Sequence, residues 1–117
     1  MNVSYNDQYK ALIVQFAGEL DHHTATAMRG KIDDSIMATT PKRLIFDLSS
    51  LSFMDSSGVG VIMGRYRIMK ERGGEVIITN AGNQVSKLID VSGLRKIVRE
   101  VDTLENALKE DEIHEYN

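Results

Sequence analysis

The chain has 117 residues, with 14 Lys and Arg against 17 Asp and Glu, a formal net charge of −3 and 42% hydrophobic residues. That is the composition of one soluble domain with one core of modest size, and no basic block exceeds two or three residues, which argues against direct nucleic-acid binding. Cysteine is absent, so disulfide frameworks and thiolate metal or redox centres are excluded.

Val3 to Tyr5 reads as a short strand and Asn6-Asp7-Gln8 as a turn. Leu12, Val14 and Phe16 alternate with Ala11, Ile13 and Gln15 in a second strand, which completes a hairpin and is ended by Gly18. Asp21 is placed as the N-cap of a helix, with Thr24 at its third position. Ala25, Met28, Ile32 and Ile36 recur at spacings of three and four and give that helix one apolar stripe, to about Met37. Pro41, the single proline, separates it from a strand over Arg43 to Leu48. The apolar residues of that strand are not confined to alternate positions, which places it centrally in a sheet. Ser49 to Asp55 is expected to be a loop, and about Ser57 to Arg72 a helix stopped by Gly73-Gly74. Glu75 to Thr79 is a strand. Asn83 to Val91, carrying Val85, Leu88 and Ile89, is a short helix closed by Gly93. Lys96 to Val101 gives the last strand. Asp102 and Glu105 form a capping box for a final helix from Thr103 to about Asp111, with an acidic tail to Asn117 expected to fray. The order β-β-α-β-α-β-α-β-α implies a single α/β domain over residues 1–117. Its sheet is mixed but mostly parallel, with right-handed crossovers and an antiparallel hairpin at the N-terminus.

The longest run of apolar residues and glycine is Gly58 to Gly64, far short of the roughly 20 residues of a membrane span. Met1 to Lys10 is polar and lacks the pattern of a secretion signal. A cytoplasmic protein that needs no membrane is therefore expected.

The residues that carry common chemistries are mostly missing. His22 and His23 are adjacent and His114 is distant; neighbours on a helix point about 100° apart, so no i, i+4 metal pair forms. Asp55-Ser56-Ser57-Gly58 lacks the glycine that precedes the serine of a nucleophile elbow. Gly58, Gly60 and Gly64 follow G-x-G-x-x-x-G, one residue too long for a dinucleotide loop, and no Gly-Lys-Ser/Thr is present. A helix start still attracts anions, so a small nucleotide-binding protein or NTPase remains an alternative. No catalytic residue, metal or cofactor is expected.

One place stands out. Asp55-Ser56-Ser57 at a helix start is first of all a capping sequence. It also presents two hydroxyls where a phosphate would meet free N–H groups and the positive end of the helix dipole. The helix that follows is apolar over an arc of about 220°, interrupted by Arg65 and Arg72, where one-sided packing needs roughly 100° or somewhat more. If the sheet takes the centre of that arc, Val59 and Met63 fall at its edge, near Gly60. They then pack under a neighbouring loop or form a protein-binding patch beside Ser56.

Gly18-Glu19-Leu20-Asp21-His22-His23-Thr24-Ala25, Leu51-Ser52-Phe53-Met54-Asp55-Ser56-Ser57-Gly58-Val59-Gly60 and Val91-Ser92-Gly93-Leu94 resemble the STAS family. Within it they are most similar to the anti-sigma factor antagonists of spore-forming bacilli. The resemblance runs from about Val3 to Leu108 and is most specific at Met54 to Gly58. It implies a regulator rather than an enzyme. The unphosphorylated form would bind an anti-sigma factor that is also a serine kinase, indirectly releasing a sigma factor that drives sporulation transcription. Phosphorylation would end binding and a phosphatase would restore it. The acceptor maps onto Ser56, and Asp21 onto an aspartate linked to partner binding. Asp55, Ser57, Gly58, Val59, Gly60 and Met63 complete the expected partner surface. An antagonist acting on a general-stress anti-sigma factor would work in the same way.

Overall fold

The computed structural model describes residues 1–114, with side chains through 109. Five strands form one sheet in the order β1-β2-β3-β4-β5. They are β1 (Asn2–Asn6), β2 (Ala11–Leu20), β3 (Arg43–Met54), β4 (Glu75–Thr79) and β5 (Arg99–Val101). β1 and β2 are the antiparallel hairpin, and every other neighbouring pair is parallel. The helices are α1 (Ala25–Thr39), α2 (Ser56–Glu71), α3 (Asn83–Ser92) and α4 (Leu104–His114). The tail at 115–117 lies outside the described residues.

Both faces of the central strands are covered, which is why their sequences read as nearly continuous apolar runs. On one face Leu12, Val14, Phe16, Leu44, Phe46, Leu48, Val76 and Ile78 meet Ile32 and Ile36 of α1, Val61, Ile62 and Met69 of α2, and Val85 and Ile89 of α3. Phe16 and Phe46 stack across β2 and β3 with centroids 5.6 Å apart. On the other face Ala11, Ile13, Ile45 and Ile77 meet Ala107 of α4. Arg43, fully buried at the start of β3, anchors that helix: its Nη1 donates to the carbonyls of Ala107 and Leu108 at 2.8 Å each, and its Nε lies 3.1 Å from Glu75 Oε1.

Several boundaries differ from the sequence reading. Gly18 does not end β2; at φ +78° it sits within the strand, which continues to Leu20. Ser49 to Met54 is not a loop but the second half of β3. The pairs Gln15↔Asp47, Ala17↔Ser50, Gly18↔Leu51 and Glu19↔Phe53 show β3 carrying an extra residue at two places, and these bulges erase the period-two pattern. The last strand begins at Arg99, because Leu94–Lys96 winds into a 3₁₀ turn after Gly93. The cap of α4 is Thr103, whose Oγ1 accepts from Asn106 N–H at 3.1 Å, whereas the Asp102 carboxylate accepts from the Asn106 side chain at 2.9 Å.

Candidate functional site

The parallel pairing of β2 with β3 runs to Leu20↔Met54, and Asp55 N–H donates to Leu20 O at 3.3 Å. The turn after β2, which holds Asp21, therefore lies beside the start of α2, which holds Ser56. Segments 35 positions apart are brought side by side by the half of β3 that reads as a loop.

Asp55 is the N-cap of α2. Its carboxylate accepts from Ser57 N–H at 2.8 Å and Gly58 N–H at 3.4 Å, so one of its oxygens is committed to the helix. Ser56 is thereby the first helical residue, one earlier than the sequence suggests, and its side chain is exposed. Ser57, on the next step of the helix, is half-buried. Of the two serines, Ser56 is the more exposed.

Gly58 is buried. A Cβ there would stand 2.4 Å from Met54 Cγ and 2.9 Å from Leu20 O, so its lack of a side chain lets α2 begin against β2 and β3. Gly60 is exposed, and a Cβ there would meet nothing within 4 Å. Gly58, Gly60 and Gly64 all lie inside α2, so these three form no loop to cradle a nucleotide.

Val59 and Met63 fall at the edge of the buried face of α2, half-exposed while packing against the main core. The centre of that face includes Arg65, which the sequence reading treated as an interruption. It is 8% exposed, its Nε pairs with Asp33 of α1 at 2.9 Å and its Nη1 donates to Val61 O at 3.3 Å. A buried arginine is acceptable here because it is paired. Sequence reasoning also passed over Phe53, 41% exposed on β3 opposite Glu19 and two residues before the cap; an exposed aromatic in the same motif was the available signal.

Asp21 does not cap α1 directly. Residues 21–24 form a turn before the helix, whose N-cap is Thr24. Within the turn the Asp21 carboxylate accepts from the N–H groups of His23 at 2.9 Å and Thr24 at 3.1 Å. Desolvation works to raise its pKa, but the Thr24 and His23 amides, the His23 charge and the Thr24 hydroxyl outweigh it, and the carboxyl stays below its ordinary value. The turn that carries this carboxylate follows Leu20, whose carbonyl accepts from the Asp55 N–H that opens α2. His22 and His23 are both exposed, and no group of three or more His, Cys, Asp or Glu among the described residues is arranged to hold a metal.

The STAS domain profile matches residues 2–110. The chain is 43% identical over 102 residues to the anti-sigma F factor antagonist of Paenibacillus polymyxa, covering 87% of each chain. Its fold matches the anti-sigma factor antagonist SpoIIAA in its unphosphorylated form with a TM-score of 0.81 and 32% identity, over 95% of both chains. A Bacillus cell fate determinant, SpoIIAA in the phosphorylated form, matches with a TM-score of 0.72 and 31% identity over 93% of this chain and 96% of the other. The exposed serine, the cap that precedes it and the adjoining aspartate thus occur in a chain that belongs to the STAS family, among the anti-sigma factor antagonists.

Proposed function

We propose that this protein is a phosphorylation-controlled anti-anti-sigma factor acting in the cytoplasm on sporulation transcription. Unphosphorylated, it binds an anti-sigma factor that is also a serine kinase, and a sigma factor is released. The kinase transfers the γ-phosphoryl group of ATP to Ser56 Oγ, and a serine phosphatase removes it by hydrolysis. The observation that carries this reading is the exposed Ser56 at the first position of a helix already capped by Asp55.

The geometry supports a local switch. A phosphate adds about −1.5 to −2 charge at neutral pH. At a helix N-terminus that charge is favourable by roughly 0.3–1 kcal/mol, and the Asp55 and Asp21 carboxylates oppose it. The two contributions are small and of opposite sign, so the fold is retained. In the complex the balance differs. Ser56 must face the kinase to be modified, so its phosphate would be buried at the interface with Val59, Gly60 and Met63 around it. Burying an unpaired charge costs several kcal/mol, and each 1.4 kcal/mol weakens binding about tenfold. Two or three decades of affinity are lost without refolding.

Intact-mass measurement after incubation with the anti-sigma kinase and ATP tests the assignment. Ser56→Ala should take up no phosphate and Ser57→Ala should take it up as the native chain does; the reverse pattern refutes it.

A further inference from the structure

Thr24 occupies the N-cap of α1, yet its side chain caps nothing in that helix. A threonine in this position ordinarily accepts from the second or third amide of the helix. Here the hydroxyl faces backwards. Oγ1 accepts from Asp21 N–H at 3.0 Å, closing a reciprocal pair with the Thr24 N–H that donates to the Asp21 carboxylate. Its single proton has three acceptors in reach: Glu19 O at 3.1 Å, Asp21 Oδ1 at 3.3 Å and Asp21 O at 3.4 Å. The hydroxyl therefore ties the end of β2 to the turn that carries Asp21. Asp21 Oδ1 accepts from His23 N–H and Thr24 N–H and is one of the three acceptors within reach of the hydroxyl, while Oδ2 has no hydrogen-bond partner among the described residues.

We propose that Thr24 is a positioning residue for partner binding: it fixes the Asp21 turn so that Oδ1 is held within the protein and Oδ2 is presented to an N–H or cationic donor of the anti-sigma factor. This rests on the reading of Asp21 as a partner contact. Thr24 needs no contact with the partner; its effect passes through Asp21.

Thr24→Val keeps the branched shape and removes the hydroxyl, whereas Thr24→Ser keeps the hydroxyl. Titrated against the cognate anti-sigma factor, Thr24→Val should bind about five- to tenfold more weakly and Thr24→Ser within about twofold of the native chain. In an Asp21→Asn background, Thr24→Val should change affinity little further. In the free protein, the Asp21 amide should exchange with solvent faster in Thr24→Val than in Thr24→Ser. Thr24→Ala gives the same readings should the valine variant fold poorly. Native affinity in both hydroxyl-free variants overturns the proposal, as does an equal loss in both Asp21 backgrounds, which would place the effect in the fold. Unchanged Asp21 exchange without the hydroxyl refutes the positioning step alone, whereas native affinity in Asp21→Asn removes the reading of Asp21 as a contact.

Discussion

Adding one methyl group to α2 should have opposite effects at Gly58 and Gly60. At Gly58 the new Cβ would approach Met54 Cγ to 2.4 Å, Leu20 O to 2.9 Å and Leu20 Cγ to 3.0 Å. The methionine can turn aside, but the carbonyl is backbone. It already accepts from Asp55 N–H at 3.3 Å, so relief of the contact requires the helix start to move off β2. Overpacking of this kind costs about 1–3 kcal/mol, against a gain of at most about 1 kcal/mol from replacing a helical glycine with alanine. Gly58→Ala should therefore lose about 1–2 kcal/mol. At Gly60 the methyl meets nothing, so only the propensity gain remains and Gly60→Ala should be more stable by about 0.5–1 kcal/mol. Urea unfolding followed by circular dichroism reads both; with a slope of about 1–3 kcal/mol per molar, the two midpoints should separate by roughly 1 M. If Gly58→Ala is stabilised as much as Gly60→Ala, α2 does not begin against Leu20, and the adjacency of Ser56 and Asp21 built on that contact fails with it. Binding supplies a second contrast: Gly60→Ala, though more stable, should bind the anti-sigma factor more weakly if the partner lies close over the helix backbone.

Met63→Ala should cost about 1–2 kcal/mol, less than a fully buried methionine, and weaken partner binding by about tenfold; a stability loss above about 3 kcal/mol would assign the side chain wholly to the core. Ser56→Asp should leave the circular-dichroism spectrum unchanged and weaken binding less than phosphorylation does, because it supplies one charge rather than nearly two; native affinity would remove the electrostatic account. Asp47 contributes to acid sensitivity. Burial pushes its carboxyl up, but bonds from Gln15 Nε2 at 3.0 Å, Asn80 Nδ2 at 3.1 Å and Ser49 N–H at 3.1 Å more than offset this, leaving it below the ordinary value. A depressed carboxyl stabilises the fold above the unfolded value and loses that contribution as pH falls through the folded one, so Asp47→Asn should flatten the loss of stability below about pH 4. An unchanged acid limb would show that the Asp47 bonds are not maintained in solution.

What the sequence made legible was mostly local. The i, i+3, i+4 apolar spacing of Ala25, Ile32 and Ile36, and the double glycine after α2, follow from rules that act within one or two helical turns, and α1 and α2 lie over those residues although their starts differ from the sequence reading. Arg65 was misread for the same reason. Helical period alone places it at the centre of the buried face, and only its pairing with Asp33 of another helix makes that acceptable. The second half of β3 was hidden by its bulges. Ser49, Ser50 and Ser52 are exposed while Leu51 and Met54 are buried, an irregular spacing that no simple period describes.

That hidden segment also decides the geometry of the site. Without the extension of β3 to Met54, paired with Leu20, the Asp21 turn and the start of α2 would be two unrelated loops. With it, the backbone bond from Asp55 to Leu20 holds them side by side, and Gly58 lets the helix begin close enough to keep that bond. The cap does the rest. Because the Asp55 carboxylate already satisfies the amides of Ser57 and Gly58, α2 does not depend on Ser56 for its start. The Ser56 side chain can therefore be left in solvent, and in the proposed switch it would be modified and restored while the helix that presents it stays formed. A serine serving as the cap itself could not be phosphorylated without altering the hydrogen bonds that begin its own helix. Placing the aspartate first and the serine second separates the group that builds the helix from the group that the proposed phosphorylation would change.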